Sequence, residues 1–455
     1  MALLSTSAAA HRSACSIKVF LFCMLVNISC TTGEDLLNNL EIVGSLQTWG
    51  IDDGRPAEGS AKHAVWLGDW NGDGIPEYFV ATKKGGTSSL FYSTGEGTWQ
   101  PTSHWYAPSY SVIALDTRGD ARPEYIIKTS KFQKNANKTM YEDYVPDQTK
   151  RGWTTVFRIP DDPVKNPLEP VMTFDRSVPI VQGCMDIDGD GHKDLLVSHH
   201  LENSKFVARY YKGKDDSSDG KPFEATHQWA SRGTGSSMGP AGEHTSKARW
   251  GDIQIVTVGS TVRKRLFAAG SEGENNNVVY WDYDPVRDTF DQDPTVLYVT
   301  MIDASVNNEL DLVSVRALPG AIMLAGKNGA FFFKHSPADD TYSLLDVPGI
   351  TPTEKIDYPE FWCFNSGLND GKMVFVILRK PAGNRNSAME FRLFDPSLAP
   401  GEQISDILKE IALPPKAQRI TALRVDDGFD PMLDVKQLIV AHRHGATILN
   451  VATTK

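Results

Sequence analysis

The sequence lacks the excess of basic residues that a nucleic-acid-binding protein needs. Its 455 residues include 46 Lys or Arg and 57 Asp or Glu, which gives a formal net charge of −11. Phosphate binding requires a cationic surface, so the composition excludes nucleic acid as the main partner. The chain also lacks the HExxH, Ser-His-Asp and P-loop signatures. Whether the protein is an enzyme is therefore left open by its motifs.

Long apolar segments are scarce as well. The one marked run covers residues 19–28, which is short of the roughly 20 residues that a membrane span needs. His11, Arg12 and Lys18 precede the run, and small residues follow it. This pattern predicts a secretory signal peptide over residues 1–30, with a buried strand and an uncleaved anchor as competing interpretations. We therefore expect a protein of the secretory lumen or the exterior, without a transmembrane anchor.

Cysteine is rare. Three of the five cysteines lie in the predicted signal peptide, so the mature chain keeps only Cys184 and Cys363. In an oxidising compartment these two residues could form a disulfide, and two buried thiols fit the sequence equally well. Asn137 begins the sequon Asn-Lys-Thr in a polar stretch. It is a predicted glycosylation site, which agrees with secretion.

The abundant feature is an internal repeat. Its unit is an apolar strand, a turn rich in Asp, Asn and Gly, and a second apolar strand. The clearest copies are residues 64–82, 111–130 and 181–200, and a weaker copy is 422–442. Three related strand pairs without the acidic turn lie between these copies, and an aromatic-rich third strand follows every pair. Six units also have a candidate fourth strand. Four-stranded units repeated in this way indicate a β-propeller.

The number of units predicts an all-β fold, a seven-bladed propeller that forms one domain over residues 63–455. The last unit lacks a fourth strand because the chain ends. A strand-like stretch at 40–49, within an N-terminal segment 31–62, can complete the last sheet and close the ring. A helical period appears only at 401–411, where a short helix and a strand are both compatible with the pattern. A two-domain sandwich is the alternative architecture.

Two of the acidic turns have the spacing of a calcium-binding loop. DWNGDGIPE and DIDGDGHKD carry oxygen side chains at positions 1, 3, 5 and 9, glycine at position 6, and a backbone carbonyl at position 7. Calcium prefers several hard oxygen ligands on a flexible loop, and without an ion the carboxylates would repel one another. A solvated turn is the competing interpretation. The predicted structural calcium ligands are Asp69, Asn71, Asp73, Ile75, Glu77, Asp186, Asp188, Asp190, His192 and Asp194.

Two other turns match this pattern less well. In the turn 116–124, Arg118 stands at position 3, where its cation can replace a metal. The turn 426–434 has proline at position 6, so a metal site and an ordinary turn are both open. Its candidate ligands are Asp426, Asp430 and Asp434.

Taken together, the turns and their flanking strands resemble the FG-GAP/VCBS repeat family. Members of that family include the seven-bladed propeller head of integrin α chains and a secreted mushroom lectin that binds N-acetylglucosamine. The resemblance covers residues 39–455 and is most specific at 69–77 and 186–194. It implies a calcium-bearing propeller, and it implies glycan or protein recognition only through a fold that hosts many functions.

The repeats are unequal in length. Asp69 and Asp116 are 47 positions apart, whereas Asp116 and Asp186 are 70 positions apart. A multivalent lectin would repeat one sugar site on near-identical blades, so unequal loops predict a single site over the central funnel. Histidines in solvent and tryptophans packed between blades are the competing interpretations for the candidate ligand contacts. These contacts are His199, His200, Trp105 and Trp153.

Two functions fit these observations. The first is a secreted, calcium-stabilised, monomeric propeller that binds one glycan, partner protein or small apolar molecule. The second is a cofactor-free enzyme that uses the funnel as its active site, such as a hetero-Diels–Alder cyclase or a sugar lyase. A pericyclic catalyst needs only a shaped apolar cavity and a few hydrogen-bond donors, so it would leave no motif. The lining of the pocket discriminates between the two.

Overall fold

The described part of the computed structural model consists of β-strands, turns and loops. It covers residues 41–450 apart from 48–60, 83–87, 96–97, 107–108, 121, 131–153, 175–179, 201–205, 231–248, 273–274, 299–311, 319–320, 327–328, 346–359, 366–371, 380–385, 396–397, 399–401, 403, 416, 418, 425–434 and 443–444. No helix of these residues has the length and apolar character needed to cross a membrane.

Six sheets have four antiparallel strands each. The closing sheet combines β1 (Glu41–Gln47) with β27 (Arg419–Arg424), β28 (Val435–His442) and β29 (Gly445–Asn450). The first sheet has β2 (Ala61–Gly68), β3 (Glu77–Thr82), β4 (Ser88–Gly95) and β5 (Thr98–Tyr106). The second has β6 (Ser109–Leu115), β7 (Tyr125–Ser130), β8 (Thr154–Arg158) and β9 (Glu169–Phe174). The third has β10 (Ile180–Met185), β11 (Asp194–His200), β12 (Phe206–Tyr211) and β13 (Trp229–Ala230).

The remaining strands follow in chain order. The fourth sheet contains β14 (Arg249–Val258), β15 (Thr261–Glu272), β16 (Asn275–Asp284), β17 (Thr289–Phe290) and β18 (Thr295–Tyr298). The fifth has β19 (Leu312–Leu318), β20 (Ala321–Gly326), β21 (Gly329–Ser336) and β22 (Thr341–Leu345). The sixth has β23 (Glu360–Asn365), β24 (Met373–Arg379), β25 (Asn386–Phe394) and β26 (Lys409–Pro415).

The fourth sheet departs from the predicted pattern because it has five strands. Both β17 and β18 pair with β16: β17 with Tyr283 and Asp284, and β18 with the stretch 277–280. The long β16 thus accommodates two short strands in succession along one edge. The prediction of seven four-stranded blades is therefore wrong in that form, since six sheets are regular four-stranded blades and the fourth sheet is not.

The N-terminal strand closes the ring, as predicted. In the closing sheet, Glu41 of β1 pairs with Asn450 of β29, and Gln47 pairs with Gly445. The first strands of successive sheets contact one another in chain order, and β27 of the closing sheet contacts β2 of the first. This arrangement is an all-β propeller, so the fold class is confirmed.

The apolar core lies between neighbouring sheets. Val65 and Phe79 of the first sheet cluster with Val112, Ile126 and Phe157 of the second, and corresponding clusters fill the next two joints. All six residues of β3 are buried, because a blade is covered by a neighbour on each face. The middle of β3, residues 78–81, is therefore apolar on both faces and does not alternate.

The segment 401–411 forms no helix in its described residues. It contains the first residues of β26 and an isolated bridge between Phe394 and Ile404. Its helical period is thus overridden by pairing with the neighbouring strand.

Candidate functional site

Three acidic loops lie at the same end of the first three sheets, where each first strand connects to the second. In the first loop, Asp69 Oδ1 accepts the N–H of Gly72 at 2.7 Å, and Oδ2 accepts that of Gly74 at 2.8 Å. Asp186 accepts two glycine N–H groups in the third loop in the same way. Gly74 has φ +81 and Gly191 has φ +90, a backbone conformation that glycine adopts without strain.

Position 9 of each loop is a buried carboxylate that accepts the N–H of position 2. Glu77, Glu124 and Asp194 are 0%, 8% and 0% exposed. The donors are Trp70 at 2.5 Å, Thr117 at 2.8 Å and Ile187 at 2.6 Å. Burial raises the pKa of the Asp194 carboxyl to about 6, against the lowering effect of its N–H partners. These carboxylates therefore hold the loop backbone together, whatever else they bind.

The second oxygen of this carboxylate has a partner that depends on the loop. Glu77 accepts the N–H of Ser93 at 3.3 Å, and Asp194 accepts that of Gly213 at 2.7 Å. Strand register places Pro160 at the matching point of the second sheet, and proline has no N–H. There Arg118 Nε lies 3.4 Å from Glu124 Oε1. Asp116, Asp120 and Glu124 place carboxylate oxygens within 4.8 Å of one another, and the Arg118 cation offsets part of their charge.

The other predicted calcium ligands lie at or near the surface. Asp69 is partly exposed, and Asn71 and Asp73 are exposed. Asn71 Oδ1 accepts the N–H of Asp73 at 2.9 Å, and Asp73 Oδ1 accepts that of Ile75 at 2.8 Å. Among the described residues, no Lys or Arg forms an ion pair with Asp69 or Asp73. The first loop thus fits a calcium ion, because these oxygens retain unused lone pairs and no side-chain cation of the described residues pairs with its aspartates.

The third loop also brings its oxygens together. Asp186, Asp188 and Asp190 each place a carboxylate oxygen within 4.8 Å of the others. Two oxygens on opposite sides of one calcium ion are about this far apart, since each Ca–O distance is about 2.4 Å. His192 is exposed, and its N–H donates to Asp190 Oδ1 at 2.8 Å.

A lysine that the sequence reasoning missed lies among these carboxylates. Lys212 Nζ contacts Asp188, and it lies 3.6 Å from Asp190 Oδ2 and 3.2 Å from Asp288 Oδ2. The hydrogen bond to Asp188, with a further one to Asp288, raises the pKa of Lys212 despite partial desolvation. The side chain is therefore charged at neutral pH. Its only signal in the sequence is a lysine directly after the aromatic strand β12.

A cleft of about 860 Å³ opens among the loops of the first three sheets. Its walls are mostly polar and include Trp70, Arg122, Arg158, Asp161 and Glu169. The guanidinium of Arg122 lies 3.8 Å from the centroid of the Trp70 ring, a cation–π contact. Arg158 donates to the carbonyl of Gly220 at 3.0 Å. Neither arginine forms an ion pair with a carboxylate of the described residues.

The floor of the cleft joins two sheets. Tyr125 begins β7 of the second sheet, and its hydroxyl donates to the carboxylate of Asp216 in the loop between β12 and β13. Burial, followed by this hydrogen bond, raises the pKa of Tyr125 to about 12. The phenol is thus a neutral donor at physiological pH and is not poised to act as a base.

Several predicted residues lie outside the part of the chain whose side chains are described. Asn137, Trp153 and the turn 426–434 are not described at all, and neither are residues 1–30. The backbones of Trp105, His199, His200 and Cys363 are placed in β5, β11 and β23, but their side chains are not described. Cys184 is buried. The signal peptide, the glycosylation site, the disulfide and these ligand contacts stay predictions.

Comparisons with known proteins identify the repeat. Residues 69–127 match the model of an FG-GAP-like repeat, which confirms the predicted resemblance. No curated protein matches the chain. The structure titled "Structure of Dos1 propeller" is 10% identical over 91% of this chain and 97% of its own, with a TM-score of 0.48. A functionally unknown protein from Desulfotomaculum acetoxidans DSM 771 is 9% identical over 78% and 90%, with a TM-score of 0.38.

Proposed function

We propose that this FG-GAP-repeat β-propeller is a binding protein that holds one polar ligand, such as a glycan, in the cleft among the loops of the first three sheets. The observation that carries this proposal is the lining of the cleft. Its volume of about 860 Å³ is in the range of small-molecule sites. Arg122 and Arg158 offer N–H groups there that no described carboxylate engages, while exposed Asp161 and Glu169 offer acceptors.

This mixture of donors and acceptors suits a ligand that carries many hydroxyl groups. Each sugar hydroxyl both donates and accepts a hydrogen bond, so it can bind an arginine and a carboxylate together. The loops around the cleft differ in length and sequence, which favours one site per chain over a site repeated on every blade.

The charged lining favours a polar ligand over the substrate of a hetero-Diels–Alder cyclase, which needs an apolar-walled cavity. A sugar lyase would bind the same class of ligand as the proposed binding protein. Mass spectrometry of the glycan before and after incubation distinguishes the two, since a lyase shortens the glycan and a binding protein leaves it intact.

We also propose that calcium bound in the first loop stabilises the fold and that residues 1–30 direct the chain to the secretory pathway. Asp69, Asn71 and Asp73, with the carbonyl of Ile75, would hold the ion. The ion would supply positive charge that offsets the repulsion among the loop carboxylates.

The proposed targeting role of residues 1–30 is tested by Edman sequencing of the protein isolated from its source. A first residue beyond 30 supports cleavage, and an intact Met1 contradicts it.

A glycan array followed by calorimetric titration tests the binding site. For the best glycan, Arg122→Gln and Arg158→Gln should each raise Kd about 10- to 100-fold, the effect of losing one hydrogen bond to a charged group. Arg287→Gln is the matched control, because this exposed arginine pairs with Asp284 on the fourth sheet, away from the cleft. An unchanged Kd in both cleft variants would place the ligand elsewhere.

A further inference from the structure

A lysine side chain places its positive charge next to the carboxylates of the third acidic loop. The ammonium of Lys212 contacts Asp188, whose side chain is 8% exposed, and lies 3.6 Å from Asp190 Oδ2. These are two of the three carboxylates whose oxygens lie within 4.8 Å of one another. A calcium ion held by the same oxygens would therefore stand next to the ammonium, and two like charges cannot share so small a space in a partly buried site.

Strand register shows which residue of the first sheet occupies the position equivalent to Lys212. Tyr78, directly after position 9 of the first loop, pairs with Phe91. Leu195, the corresponding residue after the third loop, pairs with Tyr211. The next residue in the chain after this partner on the third strand is Tyr92 in the first sheet and Lys212 in the third. A tyrosine thus occupies the position from which Lys212 reaches the carboxylates.

A second contact holds Lys212 from the neighbouring sheet. Asp288 lies in the turn between β16 and β17, and its Oδ2 lies 3.2 Å from Lys212 Nζ. Its other oxygen accepts the hydroxyl of Tyr283 at 2.7 Å. Asp288 has φ +50, an uncommon conformation for a residue other than glycine, and here it aims the carboxylate back at the third sheet.

A second lysine, which belongs to the fourth sheet, binds backbone carbonyl groups of the same loop. Lys264 Nζ donates to the carbonyl oxygens of Asp186 and Ile187 at 3.0 and 2.7 Å. The third loop thus receives two ammonium groups, one on its carboxylates and one on its carbonyls. Nothing comparable reaches the first loop from the described residues.

We propose that Lys212 is the built-in cation of the third acidic loop, so that this loop binds no calcium and instead joins the third sheet to the fourth through Asp288. A loop with the sequence of a calcium site is thus independent of metal. The protein should consequently bind calcium through the first loop but not through the third.

The experiment exchanges the two equivalent residues. Calcium equivalents per chain are measured by titration against a chromophoric chelator, and thermal midpoints are measured in EDTA and in calcium. Lys212→Tyr should gain one calcium equivalent, and its midpoint should fall in EDTA and recover in calcium. Lys212→Met removes the cation without adding the bulk of a phenol. It should also gain one calcium equivalent and show the same fall and recovery of its midpoint. Tyr92→Lys should lose one equivalent; this arm alone rests on the proposed calcium site of the first loop.

Asp190→Asn in the otherwise unchanged protein is the decisive control. It should leave the number of calcium equivalents unchanged, because the third loop holds no ion to lose. Loss of one equivalent in this variant would overturn the proposal. So would a folded Lys212→Met protein that gains no calcium and keeps its midpoint in EDTA. If only Tyr92→Lys is without effect, the proposed calcium site of the first loop is wrong and the assignment of Lys212 stands.

Discussion

At the scale of single residues, the carboxylate at position 9 of the acidic loops accepts backbone hydrogen bonds and, in the second loop, also pairs with an arginine. This carboxylate accepts the N–H of position 2 in all three described loops. Its second oxygen accepts the N–H of Ser93, in the third strand of the first sheet, or of Gly213, just after the third strand of the third sheet. Where Pro160 removes that donor, Arg118 takes its place. The loop can therefore be shaped by hydrogen bonds before any ion enters.

Removal of calcium should destabilise the protein through the first loop. An ion that binds only the folded state contributes about 4 kcal/mol at a thousandfold excess over its Kd. EDTA should therefore lower the thermal midpoint of the wild-type protein, and Asp73→Ala should abolish most of this difference. Scanning calorimetry with and without calcium measures both effects.

Asp120→Ala is the matched control for that prediction. Asp120 holds position 5 of the second loop and accepts the N–H of Arg122 at 3.0 Å, much as Asp73 accepts that of Ile75. Its loop has its own arginine cation, so the variant should keep the full response to EDTA. A wild-type midpoint that is indifferent to EDTA would refute the calcium assignment.

At the scale of strands and turns, three joints between sheets contain an aspartate in a turn or loop that binds a side chain of the preceding sheet. The turn between β21 and β22 carries Asp340 at φ +55, and its carboxylate reaches back to Arg265 in β15 of the preceding sheet at 2.5 and 2.6 Å. Asp288 reaches Lys212 in the same way across the previous joint. Asp216 accepts a hydroxyl from the second sheet. Aspartates in turns and loops thus connect neighbouring sheets through hydrogen bonds and ion pairs.

Loss of the Arg265 cation should be the most damaging change at these joints. Arg265 is 0% exposed, bonds Asp282 as well as Asp340, and lies 4.3 Å from the ring centroid of Tyr280. Arg265→Met would remove the buried partner of both carboxylates and leave them only the weaker contacts with Arg263 and His335, at a cost of about 3 kcal/mol. The exposed ion pair removed by Arg287→Gln should cost about 1 kcal/mol or less. Urea unfolding compares the two, and equal losses would contradict the assigned role.

The same joint should make the protein sensitive to acid. Hydrogen bonds from Arg265 hold the pKa of Asp340 below its usual value, against the effect of burial. A carboxylate with a lowered pKa in the folded state stabilises that state above its unfolded pKa of about 4, and this contribution is lost as the pH falls further. The unfolding free energy should therefore decrease below about pH 4, and Asp340→Asn should reduce this slope. A parallel pH profile in the variant would show that other groups dominate.

At the scale of the whole molecule, one short strand closes the ring. β1 supplies the outer strand of the closing sheet by pairing with β29 along its length. Without β1, the edge of β29 would expose unpaired N–H and C=O groups, which invite pairing with another chain.

Deletion of residues 1–47 should therefore lower the thermal midpoint and promote association. Deletion of residues 1–40 is the control, because it keeps the whole of β1 and should retain the thermal midpoint of the protein that has β1. Light scattering during a thermal ramp measures both properties. A monomeric, equally stable protein without β1 would show that closure does not stabilise the ring.

The sequence by itself determined the propeller, the ring-closing strand and the acidic loops with their glycines. These features depend on contacts between neighbours in the chain or on a pattern repeated along it, and both are visible in a single sequence. The five strands of the fourth sheet, the role of Pro160 and the reach of Lys212 could be decided only by the tertiary structure. Each depends on which side chains meet across strands and sheets, and residues as distant in the chain as Lys212 and Asp288 are brought together only when the third and fourth sheets pack.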